Sequence, residues 1–155
     1  MTIGCAALSY VLFTALHACQ FVVGAAVCVL YGIDIKHARD AGEAVDGKDA
    51  YAVTVGGLGA LTALLLLVPF VVRFAFVWAW SLVMSVLWLA LFGIFGRTYI
   101  NMENPEGDGD IQRMKIAVWI VLAGAALWVI GAVAHFIYWW GHKDRRSRFT
   151  SRAKI

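Results

Sequence analysis

Apolar residues fill four long stretches of the chain, and polar residues gather between and after them. Formal charges cluster at Asp34–Asp49, Arg97–Lys115 and Lys143–Lys154, with Arg73 alone inside an apolar run from Tyr51 to Gly96. The stretches cover about 3–32, 51–72, 74–96 and 114–140, each reaching the ~20 residues that a helix needs to cross a bilayer. In lipid the backbone must satisfy its own hydrogen bonds, so long uninterrupted apolar runs predict helices. A β-barrel would show short alternating segments instead. The pattern predicts an all-α polytopic membrane protein, a four-transmembrane-helix bundle with short loops. The first stretch lacks a basic leading region and is about twice the length of a signal-peptide apolar core, so a retained helix is expected there.

The run from Tyr51 to Gly96 would make a helix of about 69 Å, more than twice the ~30 Å hydrocarbon thickness, and must break. Pro69 lacks a backbone N–H and disfavours helix at Val68. Arg73, four residues on, can carry its charge to the headgroups on its aliphatic stem. A tight hairpin is therefore expected there, with Arg73 as an interfacial anchor.

Composition agrees with a membrane protein: 155 residues, 62% hydrophobic, with a mean hydropathy of +0.77. Four spans would place both ends of the chain on one side. Of the 13 Lys and Arg, seven fall on that side: Arg73, Lys143, Arg145, Arg146, Arg148, Arg152 and Lys154. Six fall on the other: Lys36, Arg39, Lys48, Arg97, Arg113 and Lys115. Orientation follows Lys and Arg counts and largely ignores acids, so this near-tie favours cytosolic termini only through the dense tail. The loop after the first stretch pairs Lys36 with Asp40 and Arg39 with Glu43 at helical spacing, which predicts a short surface helix.

Tryptophan and tyrosine mark headgroup levels. Trp139 and Trp140 close the last stretch, Tyr31 the first, and Tyr51 opens the second. Trp88 and Trp128 fall deeper and are expected between helices. Small residues at spacings of four let helix backbones approach closely; Gly56, Gly59, Ala60, Ala63, Ser81, Ser85, Gly124 and Gly131 are the expected packing positions, chiefly within the bundle and otherwise between copies of the chain.

Candidate chemistry is sparse. The intramembrane polar residues are His17, with Gln20 one turn later, and His135. Measured from span centres, His135 lies about 12 Å nearer the tail than His17, too far for two axial imidazoles of one haem. Neutral histidines bonded to neighbouring helices are the expectation. Cys5, Cys19 and Cys28 share the first span, so no bridge between loops is expected. Cys5 near a membrane face is a palmitoylation candidate, with buried packing the plainer reading. The acidic loop "NPEGDGD" lacks EF-hand spacing. No zinc-protease, phosphate-loop, dithiol or serine-hydrolase motif occurs. No catalytic residue, cofactor or metal is expected. Six basic residues directly after Trp139–Trp140 suit contact with anionic headgroups, at about 1 kcal/mol each near the surface.

The segments "YAVTVGGLGALTALLLLVPF", "AWSLVMSVLWLALFGIFGRTYI" and "RMKIAVWIVLAGAALWVIGAV", in this order and followed by "RRSRFTSRAKI", resemble the fungal MARVEL-domain tetraspan proteins. One departure is "WIVLAG", with apolar Val121 and small Ala123 and Gly124 where similar sequences are expected to carry an acidic and a polar residue. The resemblance implies an M-shaped four-helix bundle over 1–141, a basic cytosolic tail over 142–155, and a non-enzymatic role in membrane domains, membrane apposition or vesicle trafficking. Expected partners are membrane lipids, including anionic or sterol-rich domains, further copies of the chain and other membrane proteins, without nucleic acid. The runner-up is a small transporter, channel or redox membrane anchor using His17 and His135.

Overall fold

The computed structural model describes residues 2–68, 76–100 and 109–150, with side chains over 10–68, 76–100, 109 and 111–140. Four helices follow one another: α1 (Thr2–Asp40), α2 (Gly47–Leu66), α3 (Phe76–Tyr99) and α4 (Gly109–Thr150). Each contains a stretch long and apolar enough to cross a membrane. The architecture is the expected all-α bundle of a multi-pass membrane protein.

Helix α1 runs on through "IDIKHARD", where a loop with a separate surface helix was expected, and its 39 residues span about 58 Å. It stops at a Schellman motif: the Glu43 N–H reaches the Ala38 carbonyl at 2.9 Å and the Gly42 N–H reaches Arg39 at 3.1 Å. Gly42 supplies the required left-handed φ of 72°, the conformation that favours glycine at this position. Helix α2 starts directly afterwards, because the Asp46 side chain caps it by accepting from the Lys48 N–H at 3.0 Å.

The break between the second and third spans falls where the run of apolar residues was too long. Helix α2 ends at Leu66, before Pro69, and α3 begins at Phe76. Pro69 and Arg73 lie outside the described residues, so the anchoring role expected for Arg73 does too. Helix α4 does not stop at Trp140; its backbone remains helical to Thr150, carrying the first ten residues of the basic segment about 15 Å past the aromatic belt.

Helix α1 packs mainly on α2 and α3 mainly on α4; α1 also meets α4, and α2 meets α3 lightly. The bundle is thus two close hairpins joined along a seam. Trp88, Trp128, Tyr31, Phe95, Met84 and Leu91 fill its interior and are fully buried. Tyr31 lies within α1, which continues to Asp40, and its ring packs tilted against Phe95 with centroids 4.5 Å apart.

Candidate functional site

Among the described side chains of α1, the buried positions are His17, Gln20, Gly24, Val27 and Tyr31, spaced alternately three and four residues apart. That spacing keeps one narrow stripe facing its neighbours. It carries the first polar cluster of the bundle interior.

His17 and His135 come together, contrary to the depth mismatch expected from the sequence. Their rings are nearly parallel, 13° apart, with centroids separated by 5.3 Å. The correction follows from the lengths of both helices. Helix α1 runs Thr2–Asp40 and α4 runs Gly109–Thr150, so His17 and His135 lie about four and about six residues from the centres of their helices, both toward the tail-bearing end and at roughly matched depth.

Hydrogen bonds fix the protonation of one ring. Gln20 Nε2 donates to the Leu127 carbonyl of α4 at 3.1 Å, which turns Oε1 toward His17 Nδ1, 2.8 Å away. An amide oxygen only accepts, so His17 carries its proton on Nδ1 and leaves Nε2 as a bare lone pair. His135 Nδ1 shares a 3.0 Å hydrogen bond with Ser81 Oγ of α3, and the Ser85 hydroxyl donates to the Ser81 carbonyl at 2.8 Å. Both imidazoles are buried, 1% and 3% exposed, and both Nε2 atoms lack a hydrogen-bond partner. Buried polar atoms without partners are uncommon and call for a physical account. Phe13 caps the pair, its centroid 5.4 Å from His135 and 6.3 Å from His17, with Tyr138 edge-on at 6.2 Å.

Further polar contacts bridge the two hairpins. Tyr51 donates to the Leu87 carbonyl at 3.3 Å, and Trp80 Nε1 donates to Thr62 Oγ1 at 3.3 Å. At the far end Arg113 of α4 pairs with Asp34 of α1, both mostly shielded from solvent. Beside this pair opens a cavity of about 410 Å³, with Asp34, His37, Asp49, Tyr99 and Arg113 in its wall. Asp34 continues the stripe three residues beyond Tyr31. The sequence reading placed it in a loop, yet its offset from Tyr31 was the signal that it belonged to the helix.

Small residues act within the bundle. A Cβ on Gly24 would lie 2.8 Å from the Gly56 carbonyl oxygen and 2.9 Å from the Ala60 nitrogen, so α1 and α2 touch backbone to backbone. Gly24 itself was missed, although it shares the stripe of His17 and Gln20. Gly59 and Gly124 both face the Trp88 indole, and Gly131 faces the Gln20 amide. Ala63, Ser81 and Ser85 are buried. At the tail-bearing end Trp78 meets Phe136 and Trp139, with centroids 5.8 and 6.0 Å away, and Phe136 meets Trp140 at 5.7 Å. The side chains of Cys5, Lys143, Arg145, Arg146 and Arg148, and the whole of Arg152, Lys154 and most of the acidic loop, lie outside what the structure describes.

As the rings stand, 5.3 Å between centroids is too short for a metal held axially between them. At ~2.0–2.1 Å per metal–nitrogen bond that arrangement needs about 6 Å. Among the described residues no group of three or more His, Cys, Asp or Glu is placed to hold a metal ion. The cluster offers one bare nitrogen base, a second imidazole with an adaptable hydroxyl partner, and no carboxylate within its span. No protein family, curated protein or solved structure is matched by this chain.

Proposed function

We propose that the chain is a non-enzymatic tetraspan protein that organises membrane domains, or assists membrane apposition and vesicle trafficking, with both termini cytosolic in the plasma membrane or endomembrane system. One observation carries the reading: the interior is filled by Trp88, Trp128, Phe95 and Met84, so contact surface is offered outward. Leu61, Leu64, Val86, Trp119, Ile130 and Trp140 are among the large apolar side chains exposed there. The resemblance of three spans to fungal MARVEL-domain proteins supports the same reading.

The basic extension of α4 is the proposed lipid contact. At 1.5 Å per residue, Lys143, Arg145 and Arg146 lie within about 9 Å of Trp140 along the helix, inside a Debye length of ~8–10 Å. Arg148, Arg152 and Lys154 follow further out. The test is native mass spectrometry of lipids retained by the full chain from mixed anionic and zwitterionic bilayers. Replacing all six by glutamine should abolish anionic enrichment, and replacing the first three alone should remove most of it. Unchanged lipid retention in the six-fold variant refutes the tail's role.

A second reading, a small transporter or channel, is favoured by the two unpartnered Nε2 atoms of His17 and His135. Proton flux in liposomes that is lost in His17→Ala would select it; a flux-free preparation removes it. The redox-anchor variant is not supported by the ring spacing.

A further inference from the structure

We propose that His17 and His135 form a single proton-binding site at the seam between the hairpins, and that its occupancy loosens α1 from α4 at the tail-bearing end. The inference rests on the histidine geometry and not on the membrane-organising reading. Either can fail alone, and proton uptake requires no flux.

The proton acceptor is already in place. His17 Nε2 is bare, because Gln20 holds the opposite nitrogen as a donor. Ser81 can donate to or accept from His135 Nδ1, so either ring can carry the added proton without breaking that bond. Phe13 lies 5.4 Å from His135, within the ~6 Å at which an aromatic face attracts a cation.

Among the described residues, nothing near the pair balances two charges. From α1 the titratable neighbours in sequence are Tyr10 and Cys19, both exposed. From α4, Tyr138 meets the edge of Phe13. From α3 the facing group is Ser81, and the corresponding part of α2 carries Thr62 and Leu66. No Asp, Glu, Lys or Arg occurs in 10–32, 51–66, 76–96 or 116–140; Arg73 and the His142 side chain lie outside the described residues. Two imidazolium ions 5.3 Å apart would repel enough, at an effective dielectric constant of about 20, to separate the two uptake steps by about two pH units.

The first proton creates an N–H donor or a charge with no partner in the closed seam. Water can satisfy it only if α1 and α4 part, so proton binding favours the parted state over the closed one. The bond to be lost is Gln20 to the Leu127 carbonyl, the direct polar link between α1 and α4 at this level.

The test uses the full chain with ¹⁵N-labelled histidine in nanodiscs, titrated from pH 8 to pH 4 and followed by NMR. Only His17, His37, His135 and His142 contribute, and His17→Gln and His135→Gln assign the pair. At pH 8 His17 should show the Nδ1–H tautomer. Acidification should produce one imidazolium from the pair, the second appearing about two pH units lower or not at all. Amide exchange over Phe13–Gln20 should then accelerate about tenfold or more. Rings that titrate together, a pair that takes no proton down to pH 4, or uptake without faster exchange each overturn the proposal. Because the titration is read on the unaltered chain, misfolding of either variant would leave these outcomes readable, with Ser81→Ala as a second assignment aid.

Discussion

Alanine at position 24 tests whether the two helices of the first hairpin meet backbone to backbone. The new Cβ would sit 2.8 Å from the Gly56 oxygen and 2.9 Å from the Ala60 nitrogen. Both are main-chain atoms, so no rotamer change relieves the clash. Helix α1 must retreat by about 0.6 Å to reach the 3.4 Å at which ordinary contact begins, and that movement loosens the packing of Val27 and Cys28 against Gly56. Overpacking of this kind costs about 1–3 kcal/mol, against a helix-propensity gain of at most ~1 kcal/mol for Gly→Ala. The net expectation is destabilisation by about 0–2 kcal/mol, most directly seen against a control. Gly93 lies in α3 with nothing within 4 Å of its added Cβ, so Gly93→Ala should keep only the propensity gain. Unfolding of the full chain in mixed micelles by increasing SDS, followed by circular dichroism, gives both midpoints. Gly24→Ala should unfold at lower SDS than the wild type and Gly93→Ala at equal or higher SDS. If Gly24→Ala matched Gly93→Ala, the close approach would be wrong.

Three further outcomes use the same assay. Trp88→Ala should cost about 3–5 kcal/mol, because it empties a fully buried indole site. Gly124→Ala should destabilise the wild type, since its Cβ would enter the volume of the Trp88 ring, yet be close to neutral in the Trp88→Ala background; equal penalties in both backgrounds would refute the contact. Arg113→Gln and Asp34→Asn should each cost about 1–3 kcal/mol by removing a charge-assisted hydrogen bond that is largely shielded from solvent. Their double variant should be more stable than the sum of the single effects, by a coupling of about 0.5–3 kcal/mol. Strict additivity would show that the pair does not bridge α1 and α4.

The four helices were legible because lipid demands long apolar stretches, and the deep positions of Trp88 and Trp128 followed from their distance to the span ends. Helix limits were less legible. Polar residues mark the end of the apolar run but not the end of the helix, and α1 continues through Ile35 and Lys36 to Asp40 until Gly42 can close a Schellman turn. The extensions of α1 and of α4, which runs on to Thr150, move the centres of the first and fourth spans. Read without them, two histidines that are neighbours were expected about 12 Å apart in depth.

A soluble helix announces its buried face by contrast with water, but both faces of these helices meet apolar surroundings, so hydropathy carries little directional signal. The inward stripe must instead be read from residues that lipid would not accommodate well or that packing specifically requires. His17, Gln20, Gly24, Val27, Tyr31 and Asp34 obey one alternation of threes and fours, and four of the six are polar or phenolic. A polar residue facing lipid is costly, so such an alternation identifies the seam before any contact is known. The same logic separates the two kinds of interface in the bundle. Within the first hairpin the helices approach through glycine, where backbone contact replaces the hydrophobic drive that lipid removes. Between the hairpins, packed contacts such as Gly59 on Trp88 and Tyr31 on Phe95 hold the middle and the far end, whereas at the tail-bearing level the polar link of α1 to α4 is the Gln20–Leu127 hydrogen bond, which water can replace. A seam held in this way can part at its tail-bearing end while each hairpin stays intact, and that difference is what lets a proton at His17 and His135 act on the relation of α1 to α4 without unfolding either.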